Sequence, residues 1–123
     1  MAVMQSRDTR TFIAGEDLSS AQFKFVTLES DGQVDLADAA GENAIGVCIV
    51  GGAAGAAVTV VVSGSVMVTA GGTIAAGAAI QTDASGDALT AATGDVVLGY
   101  AREAAVDGQI FEIELIQGGN VVA

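Results

Sequence analysis

One stretch comes round twice. Ala44–Ser65 reads as an apolar strand, a Gly/Ala turn at Gly51, Gly52 and Gly55, and a second strand rich in Val. The same plan returns 53 residues later: Ile45-Gly46-Val47 is echoed by Leu98-Gly99-Tyr100, and Gly55, Val58, Val60 and Val62 fall on Gly108, Phe111, Ile113 and Leu115. The flanking turns match as well, Ser30-Asp31-Gly32 with Asp83–Asp87 and Ala40-Gly41-Glu42 with Thr93-Gly94-Asp95. The pattern predicts an all-β fold of two similar hairpin units, residues 23–63 and 79–116, with Gly64–Ala78 bridging them. Short apolar runs punctuated by Gly turns are the strand signal.

The strands are expected at Phe23–Glu29, Gln33–Leu36, Ile45–Val50, Val58–Val62, Val66–Thr69, Ala79–Thr82, Ala88–Ala91, Val96–Ala101 and Gln109–Ile116. Phe23, Phe25 and Thr27 alternate onto one face. Phe111, Ile113 and Leu115 alternate against Glu112 and Glu114, the mark of a sheet with one wet face. A single helical turn is expected over Asp17–Gln22, where acids precede Leu18-Ser19-Ser20-Ala21. The chain divides into an N-terminal arm, 1–16, with a short strand near Thr11–Ala14, and one β domain, 17–123.

Ala44–Thr82 carries no charge over 39 residues, which raises a membrane span. The Gly pair interrupts the run, Val58–Val62 is β-branched, and neither end has the Lys or Arg that orients a span. Met1–Phe12 lacks the continuous apolar core of a secretory signal. With four Phe, one Tyr and no Trp, the core must be aliphatic, so contacts with other subunits are expected to add to stability.

The formal net charge is −11. Residues 1–24 are neutral, and beyond them Arg102 is the lone cation against twelve acids. Such a body repels nucleic acid, whose binding relies on Lys and Arg displacing counterions, and anionic membranes. Arg7, Arg10 and Phe12 stand out in the arm. They read either as part of a frayed terminus or as anchors that order on a partner.

No chemistry is visible, and no catalytic, cofactor or metal residues are expected. The acids sit in turns beside Gly rather than as a tuned pair. Asp83–Asp87 departs from a calcium-loop template, with Gly94 where the bidentate Glu would stand. No His and one Cys exclude an ordinary zinc site, and Cys48 reads as a buried small apolar residue. Gly71-Gly72 and Gly118-Gly119 lack the Gly-Lys-Ser/Thr of a phosphate loop. Lys24, between two Phe, reads as an outward strand residue rather than a carrier lysine on a hairpin tip.

Ser65-Val66-Met67-Val68, then Ala70–Ile80, Thr82–Gly86 and Val97-Leu98-Gly99-Tyr100-Ala101, resemble the capsid cement (head decoration) proteins of tailed bacteriophages over about residues 20–117. The resemblance implies a small β-barrel or β-tulip that is not an enzyme and needs no cofactor. It implies a homotrimer on the outer surface of the virion, bridging adjacent major capsid proteins, with the N-terminal segment reaching the shell. That makes Arg7, Arg10 and Phe12 the expected capsid contacts. Two other readings are a phage tail or fibre module and a surface carbohydrate- or calcium-binding β module, the former kept apart by rod-like assembly and the latter disfavoured by the scarcity of aromatic platforms.

Overall fold

The structure, a computed structural model, describes residues 7–116. It is all-β, with no helix among the described residues: β1 (Arg7–Ile13), β2 (Lys24–Leu28), β3 (Val34–Leu36), β4 (Gly46–Val50), β5 (Ala57–Thr69), β6 (Ala79–Thr82), β7 (Ala88–Thr90), β8 (Gly99–Ala101) and β9 (Ile110–Leu115). The strands form one antiparallel sheet in the order β3-β2-β4-β5-β9-β8-β6-β7, with β1 added to β5. The sheet curls into a half-barrel twice. Ala14, just past β1, bridges Val34 of β3, and Ala70, just past β5, bridges Ala88 of β7.

The two halves pair in the same register. Val26 faces Leu36 and Gly46 in the first; Ile80, 54 positions on, faces Thr90 and Gly99 in the second. Cys48 faces Val60 as Ala101 faces Ile113, now 53 positions on, so one residue is lost in the turn between. The match extends to the start of the chain. Phe12 pairs with Val58 and Ile13 with Ala57; Val68 pairs with Phe111 and Thr69 with Ile110. β1 therefore opens the first half as the C-terminal part of β5 opens the second. The stretch expected as an arm and the stretch expected as a bridge are the same element, used twice.

β5 runs unbroken for 13 residues, where two strands separated by Gly64-Ser65 are expected. Gly64 has φ 95°, a left-handed value that glycine reaches without steric cost, and it turns the strand over without breaking the ladder. Before it, Val58, Val60 and Val62 line one core; after it, Val66 and Val68 line the other. The first core holds Leu18, Val26, Val34, Cys48, Val58 and Val60. The second holds their counterparts Ile74, Ile80, Ala88, Ala101, Phe111 and Ile113, together with Phe25, Val47 and Val61 from the outside of the first half. The second half-barrel is thus closed by the outer face of the first. That is why Phe25 and Val26, on opposite faces of β2, are both fully buried.

Two local expectations differ from the structure. Asp17–Gln22 forms turns rather than a helical turn, because Asp17 Oδ1 accepts a hydrogen bond from Ser19 N at 3.0 Å and takes up an amide in a local turn. Lys24 is not a solvated strand residue. Its Nζ meets Asp87 Oδ1 at 2.5 Å across the junction of the halves, with side-chain exposures of 25% and 19%.

Candidate docking surface

The arm residues fall on β1, which among the described residues pairs with β5 alone. Asp8, Thr9, Arg10 and Thr11 are exposed and Phe12 is half-buried. Arg7 stands opposite Gly64 and Arg10 opposite Val60. Arg10 Nη1 donates to Asp8 Oδ1 at 2.6 Å and to Thr9 O at 2.9 Å, so its charge is partly met within the strand. Phe12 packs against the first core, because strand alternation places it beside Val58. The structure therefore puts Arg10 on the surface and turns Phe12 towards the interior.

A second surface escaped the sequence reading. On the outer face of the second half, Met67, Tyr100 and Ile110 are 37%, 44% and 45% exposed. Beside them Arg102 Nη1 lies 3.5 Å from Glu112 and 3.8 Å from Glu114. Ser65 Oγ donates a short hydrogen bond to Glu112 and accepts one from Arg102 at 3.4 Å. The signal was available: Tyr100 and Arg102 are the only Tyr and the only late cation, two positions apart at the end of β8.

The first half carries an acidic edge. Asp35 Oδ1 is buried without a hydrogen-bond partner among the described residues. Burial, then the charges of Glu16, Glu29, Asp31 and Asp38, push its carboxyl above the usual range. Asp17 is held below that range by the Ser19 side chain and amide. Burial pushes the Cys48 thiol up. Asp83 Oδ1 accepts from Ser85 N at 2.8 Å and Asp87 N at 2.9 Å, so the loop that hinted at calcium spends that oxygen on its own backbone. Among the described residues no three His, Cys, Asp or Glu are placed to hold a metal. No helix among them is long and apolar enough to cross a membrane.

The first half also has a groove of about 460 Å³ between the end of β2 (Thr27, Leu28) and the Glu42–Ile45 segment. A smaller one, about 290 Å³, lies between Asp17–Ala21 and Lys24, Leu36 and Ser85. Both are open to solvent.

Comparison with known proteins identifies the family and the fold. A family described as phage cement protein matches residues 4–115. No curated protein matches. Among solved structures, the N base of the head fibre gp8.5 of bacteriophage phi29 shares the fold, with a TM-score of 0.70 at 20% identity over 90% of this chain and 95% of that one.

Proposed function

The chain belongs to the phage cement protein family, a structural component of the virion, and from that premise we propose that it binds the outer surface of a phage head as a trimer and bridges adjacent major capsid proteins, without enzymatic activity. The family match over nearly the whole length carries this reading. The charge agrees with it: a body of net charge −11 suits the side of the shell away from packaged DNA. The contact runs through β1, whose second edge offers backbone groups for strand addition, with Arg7 and Arg10 against the shell. Phe12 acts from within the first core by fixing the strand that carries them.

Removing residues 1–16 would remove a ladder strand, so point variants test the contact better. Wild-type protein is expected to co-sediment with empty expanded shells and to raise their melting temperature. Arg7→Ala with Arg10→Ala is expected to keep the fold and weaken binding by more than tenfold, since each charged hydrogen bond contributes about 1.5–3 kcal/mol. Undiminished binding would remove the arm from the account.

The fold shared with a head-fibre base favours a second reading, a base for a fibre. Negative-stain images of assembled protein separate the two: discrete particles for a cement protein, rods for a fibre module.

A further inference from the structure

The junction between the halves has two sides, and each side has a counterpart at an end of the molecule. On one side stands the outer face of the first half, Phe25, Val47 and Val61, all fully buried. The second half's equivalents are Ala79, half-buried, Tyr100, 44% exposed, and Glu114, exposed. On the other side stands the mouth of the second half-barrel, where Val66, Val68, Leu98 and Leu115 are at most 4% exposed. Their equivalents at the mouth of the first are Arg10, exposed, and Phe12, Ile45 and Val62, half-buried.

The turns tell the same story. The Gly41 turn of the first half plugs the second: Gly41 N donates to Thr82 O at 2.9 Å and Val96 N to Gly41 O at 3.1 Å. The groove it fills corresponds to the open groove of about 460 Å³ beside Leu28 and Asn43. Gly86, whose carbonyl accepts from Phe25 N at 2.8 Å, is packed against Leu36 and Lys24, while its counterpart Gly32 has open space around it. Gly41 is packed against Asp95, while its counterpart Gly94 is open. Among the described residues, each of these contacts between the halves thus has an unused duplicate.

We propose that the occupant of both duplicates is a second copy of this chain, so that the outer face of the second half of one copy closes the first half-barrel of the next and repeats between molecules the junction seen within one. The Gly94 turn of one copy then enters the groove of the next beside Leu28 and Asn43. Tyr100 covers Phe12, Ile45 and Val62. Charge agrees: where the internal junction gathers Val61 and Val66 into one core, the intermolecular one brings together Glu114 and Arg10. The internal ion pair Lys24–Asp87 becomes Ala78 against Gln33, an uncharged pair, while Asp95 beside Gly94 approaches the Glu29 and Glu42 that line the groove. Such a contact is head-to-tail, and closes into a ring when its rotation permits. Arg10 then lies at the seam between a neighbouring copy and the shell. The inference concerns contacts between copies and stands whether or not the protein binds a shell.

Two single variants, Ala78→Cys and Gln33→Cys, test it without any shell. Each adds one thiol at a half-buried position, and Cys48 is buried. The two proteins are mixed dilute, concentrated together and mildly oxidised, then compared with each variant treated alone. The expected result is a disulfide-linked dimer in the mixture and not in either variant alone, with a solution mass above that of one chain at the same concentration. Three results would overturn it: a mass of one chain throughout, equal cross-linking in one variant alone, or a multimer whose mixture does not cross-link.

Discussion

Gly46 and Gly99 hold the same post in the two halves. A Cβ on Gly46 would lie 2.0 Å from the carbonyl oxygen of Val61, and one on Gly99 would lie 2.3 Å from that of Glu114. Both obstacles are backbone in a paired strand, which cannot move aside as a side chain could.

Gly46→Ala and Gly99→Ala are therefore each expected to destabilise the fold by about 1–3 kcal/mol, the range for overpacked sites. Urea unfolding measures it, as a lower midpoint at an unchanged slope. A neutral result at either position would mean that the two halves do not approach their central strands alike.

Lys24 and Asp87 pin the halves together at 2.5 Å. Lys24→Met leaves a half-buried carboxylate unpaired. The expected loss lies between the roughly 0.2–1 kcal/mol of an exposed pair and the roughly 3–5 kcal/mol of breaking a buried one. The double variant Lys24→Met, Asp87→Leu is expected to regain most of it. A double variant as unstable as the sum of its parts would show that the pair does not act as a unit.

Asp35 should work against stability at neutral pH. Its folded pKa is raised above the ordinary 3.8 by burial first and by neighbouring carboxylates second. Between the two values the native state holds the proton more tightly than the unfolded chain, so stability falls as pH rises through that window. Asp35→Asn is expected to melt higher than wild type at pH 7, with the gap closing as the pH drops below 4. Melting curves across that range check the sign; a gap that widens on acidification would contradict it.

Much of this was legible in the residues. The spacing from Val58, Val60 and Val62 to Phe111, Ile113 and Leu115 carries the pairing of the long strands directly, because a ladder preserves register. The opening strand was legible only in part: a short strand was expected near Thr11–Ala14, but not its full run from Arg7 nor its place in the ladder. Residues 7–13 and 63–69 share alternation but almost no residue types, and the second copy is fused into β5, so one looks like an arm and the other like a connection. The left-handed turn before β2 was hidden for a similar reason. Gly77 announces it in the second half with φ 84°, whereas Phe23 adopts φ 66° in the first, a conformation that tertiary packing must enforce on a non-glycine residue. Lys24 was misjudged because strand alternation alone cannot say that an acid 63 residues on, Asp87, will be brought against it by the other half of the chain. The exposed Tyr100 face was missed because the alternation of β9 marks it only as wet, and exposure does not announce a partner.

The mass of empty expanded shells before and after mixing with this protein tests the central claim most directly. The account predicts a saturable gain in steps of three chains of 12.0 kDa, together with greater resistance of the shells to heat. Shells that gain no mass at saturating protein would contradict it.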